Sequence, residues 1–372
     1  MRHLSLARFD WWILVAVVLL FFMGLAAIGS VELSQSAGSF PFLRKQLIAA
    51  GLGIAGAVII LTRPAVALRQ YARLAWLVAL ALLVLVLFFG QAYNNAKGWF
   101  ELGGFAFQPI EWAKIAFVLY TASLLAEDDA YPLKRRTVFR VAVALFAAAV
   151  LVIRQPDLGG TVLLAGVAAM MLFFSGISLR WIAAGIGGAV LFTFLGWSFI
   201  FSQYQKDRIA TFLDPTADPL GTGYNVNQAM VAIGSGGWLG RGFGGGSQSQ
   251  LQFLPESQTD FIFAVIAEEF GFIGAAFVLG AFAFLLGRIL LAAFSARDRF
   301  MRSFLFGGAA LFLIPMVIHM GTNMAILPAT GITLPLVSYG GSSLLMTILL
   351  LGMILRVIWE VRANSANTSE GI

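Results

Sequence analysis

The chain contains no cysteine, only two histidines, His3 and His319, and just 11% charged residues among its 372. The first lack excludes disulfides, thiol nucleophiles and iron–sulfur clusters, and with so few histidines it also excludes a Cys/His zinc site. Any chemistry must rest on carboxylates, Lys, Arg and backbone. The shortage of charge says more. Soluble domains carry about 25% charged and about 45–50% apolar residues, whereas this chain is 60% apolar with a mean hydropathy of +0.89. It has too few charges to cover a surface facing water, so the sequence reads as a membrane protein. The net charge of +6 comes from 24 Lys and Arg scattered in small clusters between apolar runs. That pattern argues against a nucleic-acid partner and bears instead on orientation in a bilayer.

Apolar runs near the 20 residues that cross a bilayer as helix fall at about 11–30, 44–61, 73–91, 109–126, 138–153, 160–175, 181–201, 261–287, 302–325 and 340–359. The expectation is an all-α polytopic protein of about ten transmembrane helices, a single domain over 1–372. Arg2 and Arg8 flank the first run, but its apolar stretch outruns a signal-peptide core, so it reads as a retained span. With the N-terminus inside, sixteen Lys and Arg fall on the cytoplasmic side, seven on the other and Lys114 within a span. The excess places both termini in the cytoplasm and the one long loop, 202–260 between spans 7 and 8, outside.

That loop has organisation of its own. Asp214-Pro215 and Asp218-Pro219 are turn signals. Val226, Ala229, Met230 and Ile233 recur at i, i+3, i+4, i+7, which predicts a short amphipathic helix. The Gly-rich run 234–246 formally contains G-x-G-x-x-G at Gly240, Gly242 and Gly245, but no strand–helix unit surrounds it, so it reads as backbone built for close approach.

Ionisable groups within spans cost about 2.5–3.5 kcal/mol or more at the bilayer centre, which makes each a functional candidate. Glu111 and Lys114 stand three apart on one face of span 4, either as an ion pair that orients the helix or as a contact to substrate. Arg154-Gln-Pro-Asp157 ends span 5 in a compact turn that either grips an anionic headgroup or holds itself by Arg–Asp bonds. Glu268 and Glu269 are neighbours in span 8, a spacing that sends only one of them into the bundle. His319 and Asn323 share a face of span 9, placed for hydrogen bonds between helices, the leading reading, or for a proton relay. Thr259 and Asp260 stand where the long loop re-enters the membrane, and from spacing alone a helix cap is the leading role for Asp260.

Six ordered blocks give the chain a family resemblance: Phe107-Gln-Pro-Ile-Glu111-Trp-Ala-Lys114, Arg154-Gln-Pro-Asp157-Leu-Gly-Gly, Asp218-Pro-Leu-Gly-Thr-Gly-Tyr-Asn-Val-Asn-Gln228, Ala232-Ile-Gly-Ser-Gly-Gly, the stretch from Ser247 through Leu-Pro-Glu-Ser-Gln-Thr-Asp260 to Glu269, and Thr330-Gly-Ile-Thr-Leu-Pro-Leu-Val-Ser-Tyr-Gly-Gly-Ser-Ser343. Together they resemble the SEDS family of shape, elongation, division and sporulation proteins, with loop wording closer to its RodA branch than to FtsW. Two departures stand out. Lys97-Gly-Trp99 replaces the usual Arg-Trp, and Ile110 replaces a Ser.

The resemblance implies a glycosyltransferase of the bacterial plasma membrane that polymerises lipid II during cell elongation. A sugar 4-hydroxyl displaces undecaprenyl diphosphate with inversion, in concert with a class B penicillin-binding protein and in contact with membrane lipids. Such a displacement needs one general base, for which Asp260 holds the family's catalytic position, and cations for the leaving diphosphate. Lys97, Lys114, Arg154 and Arg208 are the candidate cations, and Glu111, Asp157 and Glu268 complete the candidate substrate-binding set. No protein metal site is expected, although a divalent cation such as Mg or Mn is compatible with the chemistry. The alternatives are an FtsW-like division polymerase, or a flippase or transporter of a lipid-linked precursor. Carriers often show internal repeats, and the two halves of this sequence show no convincing one.

Overall fold

The computed structural model describes residues 9–35, 39–93, 96–103, 105–214 and 222–369. Pro215 of the first Asp-Pro turn and the whole of the second, Asp218-Pro219, like Arg2, His3 and Arg8, lie outside them, as does the side chain of Lys97. The lipid-spanning elements are α1 (Trp11–Gln35), α2 (Pro41–Leu61), α3 (Ala65–Phe89), α4 (Pro109–Ala126), α5 (Arg135–Ile153), α6 (Leu158–Phe174), α7 (Leu179–Leu195), α11 (Ile262–Ser295), α12 (Arg299–Asn323) and α13 (Gly341–Ser369). Among the described residues nine helices have the length and composition of a full crossing, and α6, a shorter apolar helix of 17 residues, is the tenth run of the sequence. Helices are what lipid permits, because every backbone N–H and C=O must find its partner within the segment.

Burial orders the bundle. In its most apolar stretch α12 is 83% buried and α4 and α13 are 67%, whereas α7 is 6%. The first three form the centre and α7 stands at the periphery, prolonged by a single π-helical turn over 196–200. Helix ends are tied by side chains from elsewhere in the chain. The Glu32 carboxylate, at the end of α1, accepts from the Phe42 and Leu43 N–H groups at 2.5 and 3.0 Å, satisfying two orphan donors at the start of α2.

The connection 91–107 is a three-stranded antiparallel sheet, β1 (Gln91–Tyr93), β2 (Ala96–Leu102) and β3 (Phe105–Phe107), in register Gln91↔Trp99 and Phe100↔Phe107. Apolar-run counting did not foresee it. The pairs Asn94-Asn95 and Gly103-Gly104 between short runs were the available hairpin signal. Between α7 and α11 lie three shorter helices, α8 (Gln203–Leu213), α9 (Thr222–Gly236) and α10 (Ser247–Gln250). The expected amphipathic helix is α9, while α8 was not expected.

At 34 residues α11 would be about 51 Å long, far beyond the roughly 30 Å of hydrocarbon, and it is broken at Gly271 (φ 66°, ψ −164°). The Gly-rich run takes up the groups that the break releases. Arg241 and Gly242 donate N–H bonds to the carbonyls of Glu268 and Glu269 at 3.0 and 2.9 Å, and Phe272 and Ile273 donate to those of Gly237 and Trp238 at 2.8 and 3.3 Å. The approach requires bare backbone: a Cβ on Gly271 would fall 2.3 Å from Gly240 N.

This arrangement corrects the expectation that only one of two adjacent glutamates points inward. Glu268 and Glu269 are both buried, because the loop covers the flank that a straight helix would expose.

Candidate functional site

Asp260 ends a single turn in which the Glu256 carbonyl accepts from the Thr259 and Asp260 N–H groups, both at 3.1 Å. It does not cap α11. Phe261 occupies the cap position without a side-chain bond, and the Ala264 N–H donates instead to Asn323 Oδ1 at 3.1 Å. The Asp260 carboxyl is thereby left for other work. Burial pushes it up to about 6 and the neighbouring Glu256 charge adds to that rise, while the Arg208 guanidinium and the Thr259 hydroxyl pull it back.

Arg208 comes from α8, which bridges two parts of the site. Gln205 donates to the Pro156 carbonyl at 3.1 Å, and Arg208 Nη1 donates to the Ala329 carbonyl at 3.2 Å. Carboxylate and guanidinium converge on Gly331, whose left-handed backbone (φ 72°) leaves room between them. A Cβ there would lie 3.6 Å from Asp260 Oδ2 and 3.8 Å from Arg208 Nη1.

Behind Arg208 lies Asp157. It caps α6, accepting from the Gly160 N–H at 2.7 Å. Burial pushes its carboxyl up, against the pull of that N–H and of Lys114 and Arg208, while the Glu111 charge adds to the rise. Among the described residues Arg154 and Asp157 form no ion pair. Arg154 sits exposed at the end of α5, so the self-bonded turn is not what holds this corner.

Glu111 and Lys114 are paired at 2.6 Å on α4 and line a cavity of about 30 Å³ with Thr333, Ser343 and Thr347. The 330–343 stretch joins this cavity to Asp260. Its Thr333 and Ser343 hydroxyls bond at 3.2 Å, and Ser342 Oγ accepts from the Gln108 N–H at 3.1 Å.

Glu268 stands apart from this cluster. Its carboxylate accepts from the Gln248 and Ser249 N–H groups at 2.9 and 3.3 Å and from Ser249 Oγ at 3.2 Å, holding α10. Glu269 bonds Ser30 Oγ and, at 3.5 Å, Gln250 Nε2. Among the described residues no three His, Asp or Glu side chains are arranged to hold a metal ion.

The structure therefore brings Asp260, Arg208, Asp157, Glu111 and Lys114 together, leaves Arg154 at the rim and gives Glu268 a role in folding the loop. Sequence reasoning did not single out the 330–343 stretch as the wall between the two halves of the site. Its Gly331 and Gly340-Gly341 were the readable sign of close backbone approach.

Fold and site define a multi-pass membrane protein whose candidate functional groups gather beneath a structured loop at one end of the bundle. A family model described as cell cycle protein, covering FtsW, RodA and SpoVE, matches residues 10–363, and the chain belongs to that family. A probable peptidoglycan glycosyltransferase FtsW of Thiomicrospira cyclica is 37% identical, over 99% of this chain and 96% of that protein. The peptidoglycan glycosyltransferase MrdB of Escherichia coli K12 is 36% identical, over 87% of each. Among solved structures, a peptidoglycan synthase complex that coordinates polymerization and crosslinking aligns with a TM-score of 0.80 at 32% identity, covering 96% of this chain and 99% of the other. The rod shape determining protein RodA of Thermus thermophilus aligns at 0.71 and 29% identity, over 94% and 96%.

Proposed function

We infer that this chain is a peptidoglycan glycosyltransferase that polymerises lipid II in the bacterial plasma membrane, working in cell elongation beside a class B penicillin-binding protein. The supporting observation is the Asp260–Arg208 pair converging on Gly331 at the mouth of the bundle. It sets a carboxylate of raised affinity for protons beside a fixed cation. In the reaction the sugar 4-hydroxyl attacks the anomeric carbon bearing the α-linked diphosphate. The new O–C bond forms as the bond from carbon to diphosphate oxygen breaks, and the leaving group departs with the electron pair. Asp260 takes the hydroxyl proton. Arg208, with Lys114 deeper in the same cluster, meets the charge that accumulates on the diphosphate, a role that calls for cations rather than an acid. A single displacement gives the β-linkage.

The test is polymerisation of lipid II by the purified protein, alone and with the host's class B penicillin-binding protein, for the native chain and Asp260→Asn. A positioned base contributes about 10²–10⁴-fold, so the variant should bind lipid II yet lose nearly all polymerisation. Near-native polymerisation by Asp260→Asn would remove this assignment, and transport of lipid II across vesicles without polymerisation would favour a flippase. A division role is the second reading, favoured by the 37% identity to an FtsW over nearly the whole chain. Complementation of cells depleted of MrdB or of FtsW separates the two.

A further inference from the structure

Three consecutive backbone carbonyls, those of Gln258, Thr259 and Asp260, are each held by a donor from the last part of the chain. The Tyr339 N–H donates to the first at 2.9 Å, Ser338 Oγ to the second at 2.7 Å and Asn323 Nδ2 to the third at 2.9 Å. The holders are themselves fixed. Asn323 is fully buried, and it donates also to the His319 carbonyl at 2.8 Å while its Oδ1 accepts from the Ala264 N–H. Ser338 Oγ accepts from the Leu334 N–H at 2.9 Å, and its carbonyl accepts from Gln46 Nε2 of α2 at 3.0 Å.

The placement has a specific geometric consequence. A peptide unit is planar, so the Thr259 carbonyl fixes the plane entering Asp260 and the Asp260 carbonyl fixes the plane leaving it. Pinning both planes sets both backbone torsions of Asp260, and with them the origin and direction of its side chain. Two short torsions then complete the path to the carboxylate.

We propose that Asn323 and Ser338 are positioning residues for Asp260, a clasp that fixes the two peptide planes meeting at its Cα so that the carboxylate stays aimed at the attacking hydroxyl. The proposal rests on the reading of Asp260 as general base. Both side chains are buried. Their contribution is to alignment, and misplacement of a reacting group by about 1 Å costs on the order of 10²-fold in rate.

The experiment measures Ser338→Ala and Asn323→Ala as full-length protein in detergent or nanodiscs, with Asp260→Asn alongside. Lipid II binding, kcat and the acid limb of the kcat–pH profile are read separately. The clasp predicts binding within about twofold of native, kcat lowered by about ten- to a hundredfold, and a displaced acid limb. The limb moves because a re-aimed carboxylate meets different fields from Glu256 beside it and from Arg208 on α8.

Folded variants with native kcat and an unmoved limb would overturn the clasp, as would a fall in kcat matched by an equal loss of lipid II binding. If Asn323→Ala does not accumulate as monodisperse protein, Ser338→Ala decides, since it removes one hydroxyl. Failure of both to fold would also overturn the proposal, in favour of a purely structural role. The two readings fail differently. An active Asp260→Asn sinks the base assignment, whereas an inactive Asp260→Asn beside native-like clasp variants sinks the clasp alone.

Discussion

Asp260 and Arg208 make opposite demands on one another that a pH profile resolves. The carboxyl titrates near 6 in the folded protein against an ordinary value of 3.8, and only its ionised form takes a proton. Polymerisation should therefore rise through about pH 6 and level off above it, given that Asp260 is the base. Arg208 holds the carboxyl down. Arg208→Ala should thus move the rising limb to higher pH as well as weaken the response to diphosphate, and a limb that stays in place would show that the guanidinium does not act on Asp260. The sign for stability runs the other way. An acid whose proton is bound more tightly when folded favours the fold at low pH and costs stability as pH climbs through 6. Asp260→Asn, which never ionises, should melt no lower than the native protein at pH 8. At this scale the sequence pointed to Asp260 by resemblance, as a proposed base, but not to its local surroundings. The cap suggested by spacing is supplied by Asn323, 63 positions away, and no short window of sequence contains that pairing.

Elements were legible where lipid dictates them. Runs of about 20 apolar residues map onto the helices because hydrocarbon leaves the backbone few alternatives. What the windows missed are features set by distant chain. The sequence run 261–287 reads as one continuous apolar helix, whereas α11 extends to Ser295 and breaks at Gly271 because residues 237–242 supply the matching donors and acceptors. Gly271→Ala is the corresponding prediction. A methyl group there meets Gly240 N at 2.3 Å and Trp238 O at 2.6 Å and carries a left-handed φ, a backbone strain of order 1–3 kcal/mol before any clash. The variant should lose thermal stability and folded yield. Unchanged melting would mean that the loop and α11 are not locked together.

Across the whole molecule, we propose that the ten apolar runs, being even in number, bring both termini to one face, which the excess of Lys and Arg predicts to be cytoplasmic. Labelling tests this assignment cleanly because the chain lacks cysteine. Leu251→Cys, exposed beside α10, and Ser295→Cys, at the far end of α11, should respond oppositely to a membrane-impermeant maleimide in intact cells, with only position 251 labelled. The reverse pattern would invert the topology. The single-domain layout over 1–372 and the loop bounds of 202–260 are proposals that rest on the same count. The small sheet and α8 could not be read from it, since neither depends on hydrocarbon thickness.

The peripheral helix α7 stands outside that regularity. With 6% of its apolar stretch buried it has almost no protein surface to rest against, so lipid sets its tilt. A thinner bilayer leans such a helix further from the membrane normal, at a fraction of a kcal/mol per Å. Its far end runs through the π-helical turn into α8, which carries Arg208. Acyl-chain length in the surrounding membrane thereby becomes a mechanical input to the side of the candidate site that carries Arg208.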